Sequence, residues 1–211
     1  MIGQGVLREC LLDPEITSVL CIGRSTVGQQ NEKLREIICK DLYDFTPIEN
    51  DLRGYDACLF CLGVSSAGMT ESDYSHVTYD LTIAVAKTLV IQNPGMTFIY
   101  ISGMGADSTE KGRTMWARVK GKTENALLGL PFKAAYMFRP GLIQPMHGIK
   151  SKTKSYRIMY AIMSPIVPLL TAAFPKYVTT TEKLARAMIN AAKRGAPNPI
   201  IETRDINALS I

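Results

Sequence analysis

Histidine and tryptophan are nearly absent from these 211 residues, with two His and one Trp. Too few histidines remain, and no full set of four Cys and His stands at ligand spacing, so a zinc site is not expected. Charge is sparse as well: 20% of residues are charged against 46% apolar, a balance that excludes a disordered chain. Long basic blocks are missing. The excess of Lys and Arg gives a net charge of +5 and a pI near 8.9, with a local cluster only over Lys150–Arg157. An anionic ligand or membrane surface accounts for that mild excess, and no nucleic-acid motif accompanies it. The start, Met1-Ile2-Gly3-Gln4-Gly5, lacks the basic residues and apolar run of a secretory signal. Five cysteines, an odd number, suit reduced thiols and a cytoplasmic setting. Cys58 and Cys61 have redox-motif spacing but fall inside a predicted strand, where positions three apart point to opposite faces, so they read as core thiols. There is no internal repeat and no low-complexity segment. The length suits one domain over 1–211 with a single large core.

What is present alternates. Gly3 to Leu12 has helical spacing, with Val6, Leu7, Cys10 and Leu11 on one side, and Asp13-Pro14 ends it. Ser18 to Gly23 is a short apolar strand, Leu34 to Cys39 a weaker one, Ile48 to Leu52 a short helix, and Asp56 to Leu62 a very apolar strand. Glu71 to Gln92 predicts a long helix ended by Asn93-Pro94-Gly95. Thr97 to Ile101 is a strand, Thr114 to Leu128 a helix and Lys133 to Phe138 a strand. Thr180 to Lys193 is a helix capped by Thr180 or Thr181, and Pro199 to Glu202 a last short strand. Strands alternating with helices predict crossover connections and a doubly wound parallel sheet, an α/β fold.

The chemistry concentrates between Ser102 and Lys122. Ser102 ends a strand and Lys120 sits on the next helix, within Trp116-Ala117-Arg118-Val119-Lys120. In open α/β sheets ligands bind at the carboxyl ends of the strands, so both side chains can face one cleft. This arrangement resembles the short-chain dehydrogenase/reductase superfamily in its atypical, extended-like branch, and within it the Tat-interacting-protein-like oxidoreductases and bacterial epimerase-like proteins. The resemblance covers nearly the whole chain, from Gly3 to about Asn190. It implies a Rossmann fold and a strand-end Ser with a helical Tyr-x-x-x-Lys. Ser102 matches the Ser and Lys120 the Lys, but Trp116 stands in the Tyr position.

The same resemblance implies a cofactor site. Met1-Ile2-Gly3 is similar to the tail of a Gly-x-x-Gly-x-x-Gly motif, with Gly3 its third glycine. The strand and the two glycines that go before it in the family are not in this sequence. That strand belongs between the Val19 and Leu59 strands, so two interior strand edges lose a partner. Either Met1 is internal to a longer polypeptide or the chain is a truncated product. In both cases residues 1–211 are expected to bind dinucleotide weakly, because backbone donors to the pyrophosphate are missing. Arg24, after the second expected strand, stands where an Arg accommodates the 2′-phosphate of NADP, which favours NADP over NAD. Asp41 and Leu42 resemble the family's adenine-contacting pair. Leu62, Gly63 and Val64 follow the central strand, where the backbone runs past the adenine ribose. Pro140, Gly141 and Leu142, after Arg139, resemble the loop at the nicotinamide end.

By resemblance, Lys120 holds the nicotinamide ribose and Ser102 orients a substrate carbonyl. Trp116 carries only a donor N–H and cannot act as the general acid or base. Tyr74, Tyr79 and Tyr100 are the alternatives for that proton. Two functions therefore stay open: an NADP-dependent oxidoreductase or epimerase on a small substrate, or a non-catalytic NADP(H)-binding regulator or membrane-surface adaptor. The apolar run Tyr156 to Phe174 belongs to a helical cap region over about 144–195. Arg157, Pro165 and Pro168 argue against a membrane span there. Its basic and tyrosine flanks over 150–177 suit peripheral contact with an anionic leaflet, while a pocket cap or a homodimer face fits as well. His147, at the entry to this region, reads as a hydrogen-bonded loop residue.

Overall fold

A computed structural model describes residues 1–149 and 176–211. The cap and membrane-contact readings for 150–175 lie outside the described residues. The chain forms two compact units: Met1–Lys40, Pro140–Lys193 and Glu202–Ile211 in the first, Asp41–Arg139 and Arg194–Ile201 in the second.

The first unit opens on helix α1 (Ile2–Leu12), which buries Gly5, Val6, Leu7, Glu9 and Cys10. Strands β1 (Val19–Gly23) and β2 (Leu34–Ile38) pair in parallel, Val19 opposite Leu34. Among the described residues β1 has one ladder partner, and all five of its residues are half-buried. Two short strands escape the sequence reading, β6 (Leu142–Gln144) and β7 (Val178–Thr180), which pair in parallel. Three-residue strands are too short for alternation to show. Helix α5 (Thr181–Arg194) follows β7. Its cap is Thr180, whose hydroxyl accepts from the Lys183 N–H at 3.0 Å. Gly5 of α1 packs on α5's first residue: a Cβ there would meet Thr181 Cβ at 3.0 Å. Helix α6 (Thr203–Leu209), also not anticipated, starts at a reciprocal cap between Glu202 and Asp205.

The second unit carries a four-stranded sheet in the order β3 (Ala57–Phe60), β4 (Thr97–Ile101), β5 (Ala134–Arg139), β8 (Ile200–Glu202). β3–β4 and β4–β5 are parallel, Leu59 opposite Ile99 and Ile99 opposite Tyr136. β4 is covered by a strand on each side and every residue in it is buried. Among the described residues β3 has β4 as its one ladder partner and is half-buried up to Phe60. The helix expected over Glu71–Gln92 is present but not uniform: α2 (Glu71–Ser75) runs through a π turn at His76–Asp80 into α3 (Leu81–Gln92). Thr70 caps it, accepting from Asp73 N–H at 3.1 Å. Asn93 closes it and ties its end to Leu52, Gly54 and Tyr55. Helix α4 (Met115–Leu128) follows β4 and buries Ala117, Val119, Gly121, Thr123, Glu124 and Leu127. All five cysteines are free thiols. Cys10 is buried and Cys58 and Cys61 are half-buried. Burial pushes the Cys10 and Cys58 thiols up to about 12, which leaves both protonated and unreactive.

Candidate functional site

The loop from β4 to α4 is built by short-range polar contacts. The Asp107 carboxylate accepts from the Thr109 hydroxyl at 2.6 Å, the Thr109 N–H at 3.0 Å and the Gly112 N–H at 2.6 Å. These bonds hold its carboxyl below the usual range, the Thr109 hydroxyl contributing most. The loop is then fastened to α4. Asp107 N–H donates to Ala117 O at 2.9 Å, and Asn125 Nδ2 donates to Ser108 O at 3.0 Å and Glu110 Oε1 at 2.7 Å. Gly121 makes the approach possible, since a Cβ there would lie 1.8 Å from the Asp107 carbonyl oxygen.

Ser102 sits where the sequence placed it, directly after β4, its N–H donating to Phe138 O at 2.8 Å. Its side chain is buried and its Oγ has no hydrogen-bond partner among the described residues. Lys120 reaches back from α4 to the same strand end, Nζ donating to the Ile101 carbonyl at 3.1 Å and lying 4.9 Å from the centre of the Tyr100 ring. Enclosure there pulls its ammonium down to about 8. Trp116, one turn earlier, is half-buried and its indole packs on the glycines after β4: a Cβ on Gly103 would meet its ring at 3.9 Å, and one on Gly105 at 3.6 Å. The structure thus brings Ser102, Trp116 and Lys120 to one strand end in the second unit.

None of the three candidate tyrosines presents an open phenol beside Lys120. Tyr100 is 1% exposed, its hydroxyl lacks a partner among the described residues, and burial pushes its pKa above the ordinary tyrosine range. Tyr74 is buried and raised by the same cause. Tyr79 is half-buried with Lys122 Nζ 4.4 Å over its ring, on the opposite side of α4 from Lys120. Arg118 is committed to Glu71 and to Gly112 O.

The remaining predicted cofactor residues divide between the units. In the second, Leu62 and Val64 are exposed apolar side chains flanking Gly63, whose Cβ position faces open space. That suits a ligand-facing strand end. Leu42 is instead a core side chain at 6% exposure, and Asp41 accepts from Tyr43 N–H at 2.9 Å in a local turn. In the first, Gly3 is exposed in the first turn of α1, and Arg24 is exposed with no hydrogen bond or ion pair among the described residues. Pro140 is buried and Leu142 half-buried in β6. The Gly141 N–H is already taken, donating to Thr203 Oγ1 at 2.8 Å. His147 is paired, its Nε2 2.7 Å from Glu182 Oε2, as expected of a bonded loop residue.

Sequence reasoning missed Glu124. It is fully buried and clasped by Arg139, whose Nε donates at 3.0 Å and whose Nη2 donates to the second oxygen. Its position four residues after Lys120, between Thr123 and Leu127, was the available signal. A cavity of about 550 Å³ lies elsewhere, lined by Glu71, Asp73, His76, Asp80, Arg118 and Lys122 among others. Arg118 and Lys122 project from the face of α4 opposite Trp116 and Lys120, and a carboxylate-rich wall disfavours dinucleotide phosphates.

Solved structures of similar fold are numerous. A UDP-N-acetylglucosamine 4-epimerase from Methanobrevibacter ruminantium M1, in complex with UDP-N-acetylmuramic acid, superposes with a TM-score of 0.65 at 15% identity, covering 95% of this chain and 72% of that one. DesIV, a dTDP-glucose 4,6-dehydratase from Streptomyces venezuelae with NAD and DAU bound, gives 0.64 at 15% identity over 99% and 76%. The fold is Rossmann-like. Within this Rossmann-like group, WbmH from Bordetella bronchiseptica in complex with NAD+ gives 0.62 at 16% identity over 95% and 70%.

No family model matches the chain. Among curated proteins, "Protein FMP52, mitochondrial" of Meyerozyma guilliermondii is 24% identical over 197 residues, 89% of this chain and 78% of that protein. "Protein fmp52, mitochondrial" of Emericella nidulans is 28% identical over 157 residues, 68% of this chain. "Protein FMP52-2, mitochondrial" of Scheffersomyces stipitis is 27% identical over 145 residues, 67% of this chain. The match spans 63% and 61% of those last two proteins. The curated relatives thus carry a different name from the Tat-interacting-protein-like oxidoreductases that the sequence resembles. They also overturn the cytoplasmic expectation, since all three are named mitochondrial proteins. Free thiols and a missing secretory signal do not distinguish one reducing compartment from another. No helix among the described residues is long and apolar enough to cross a membrane.

Proposed function

We propose that this chain is an NAD(P)-binding oxidoreductase or epimerase of the short-chain dehydrogenase type, working in mitochondria. The observation that carries the reading is the register of Ser102 and Lys120 at the end of β4, a buried hydroxyl with no partner among the described residues beside a lysine held on the preceding carbonyl. The exposed Leu62-Gly63-Val64 stretch at the end of β3 supports it as a place for the adenine ribose. Neighbours described with bound NAD or NAD+ support a dinucleotide as the ligand, and the mitochondrial names of the curated relatives support the compartment. Lys120 holds the nicotinamide ribose in this reading and Ser102 orients the substrate oxygen. The bound nucleotide supplies hydride transfer. Arg24, exposed and uncommitted, supports a preference for the 2′-phosphate of NADP, although the named neighbours are described with NAD.

Trp116 favours a second reading, in which the protein binds the nucleotide without turnover. The indole fills the position of the proton-transferring phenol and is packed on Gly103 and Gly105.

Calorimetric titration with NADH and NADPH tests the first claim, with nucleotide consumption across a panel of carbonyl and sugar-nucleotide substrates as its second arm. Saturable binding that weakens in Lys120→Ala supports the nucleotide site, and no binding at millimolar nucleotide refutes it. Turnover selects the enzyme reading, and binding without turnover selects the regulator.

A further inference from the structure

The packing around α4 points to a residue with no part in the motif just described. Glu124 follows Lys120 by one helical turn on the same face, because residues four apart align along a helix. It is fully buried, and a buried carboxylate persists only when paired and hydrogen-bonded. Arg139, the last residue of β5, supplies that pairing. The same guanidinium donates to Ser108 Oγ at 2.7 Å, so one side chain joins the end of β5, the loop after Ser102 and the buried face of α4.

Deepening the reading of Lys120 as a cleft residue, we propose that Glu124 is a positioning residue for Lys120, its Arg139-clasped carboxylate holding the amine in charged form against the Ile101 carbonyl. Tyr100 faces Lys120 from β4, Tyr74 faces Tyr100 from α2, and Arg139 faces Glu124 from β5. Burial keeps both tyrosines neutral. That leaves Glu124 as the anionic group acting on Lys120, and it opposes the burial that otherwise discharges the amine. Glu124 also explains why a lysine is tolerated under Trp116: its charge has a fixed counterpart one turn away. With Lys120 charged, the amine presents donors to a ribose hydroxyl. Once discharged, it loses the positive field expected beside the nicotinamide.

The test is competitive acetylation of the intact protein with acetic anhydride across a pH series. The rate at Lys120 is read by mass spectrometry against exposed Lys122. The unmutated protein should show a Lys120 midpoint of about 8. Glu124→Gln should lower it by about one pH unit, a tenfold loss of proton affinity, the size an opposite charge nearby produces. Should Glu124→Gln fail to fold, Glu124→Met with Arg139→Met replaces the pair by apolar side chains, an exchange that buried ion pairs tolerate. A smaller downward shift is expected there, because the Arg139 guanidinium, which repels the Lys120 ammonium, leaves together with the carboxylate. An unchanged or raised midpoint in the folded variant overturns the proposal, since a merely structural Glu124 would leave the Lys120 titration alone. Parallel NADH and NADPH titrations separate the two readings: a shifted midpoint with no nucleotide binding keeps the role of Glu124 and refutes the cofactor site, and binding with an unshifted midpoint does the reverse.

Discussion

Gly121→Ala should destabilise this protein, although the same exchange in an ordinary helix interior stabilises by about 1 kcal/mol. The reason is the loop that carries the candidate site. An added Cβ would stand 1.8 Å from the Asp107 carbonyl oxygen, 2.3 Å from its carbon and 3.0 Å from the Ser108 nitrogen. Carbon and carbonyl oxygen approach to ~3.3 Å at closest, so the loop would have to withdraw by roughly 1.5 Å. Those neighbours are backbone and have no rotamer to change. Withdrawal stretches the Asp107 N–H to Ala117 O bond and the Asn125 to Ser108 O bond, which are 2.9 and 3.0 Å long. Overpacking of this kind costs ~1–3 kcal/mol, and two lost hydrogen bonds add ~1 kcal/mol each. After the helix-propensity gain is subtracted, the expected net loss is ~2–4 kcal/mol.

Urea unfolding followed by tryptophan emission measures this directly, because Trp116 is the one tryptophan and its ring packs on the loop in question. Gly129→Ala at the end of α4 is the control. Its Cβ would meet the Ala126 carbonyl oxygen at 3.5 Å, an ordinary contact, so its midpoint should stay within ~1 kcal/mol of the parent. A Gly121→Ala midpoint equal to or above the parent would refute the reasoning, since propensity would then outweigh the close approach.

Arg24→Ala should weaken NADPH binding by calorimetry and leave NADH nearly unchanged; equal loss for both removes the 2′-phosphate role. The Asp107 carboxyl is held below its usual 3.8, so its contribution is present above that value and lost as pH falls through the lower folded value. The stability difference between the parent and Asp107→Asn should therefore shrink on the acid side of 3.8, and a difference that stays constant there contradicts the loop bonds. Under the reading without turnover, Trp116→Tyr places a phenol one turn from Lys120 and should bring nucleotide consumption that the parent lacks, while Trp116→Phe stays inactive. Robust parental turnover that is lost in Tyr79→Phe or Tyr100→Phe would instead show that another tyrosine carries the proton.

The fold was legible because its signals are local. The apolar run of β4, the punctuation at Asn93-Pro94-Gly95 and the Thr180 cap all act within a few residues, and each is found where expected. The meeting of Ser102 and Lys120 was legible for a similar reason: a strand end and the next helix face are set by period alone. What stayed hidden depends on partners distant in sequence. Gly141 resembles part of a loop at the nicotinamide end, but its N–H donates to Thr203, 62 residues later in an unanticipated helix. Leu42 resembles an adenine contact by its place after a strand, but its side chain is buried in the core. Tyr100 shows the limit most clearly. Alternation places it on the face shared with Phe98, yet every residue of β4 is buried, so period two cannot say which face opens on a cleft. Lys120 resolves that question by reaching over the Tyr100 ring to the Ile101 carbonyl. Tyr100 therefore lies beneath the lysine, in the layer between β4 and α4, with its proton held by burial. The indole of Trp116 packs beside it on the strand-end glycines, Gly103 and Gly105.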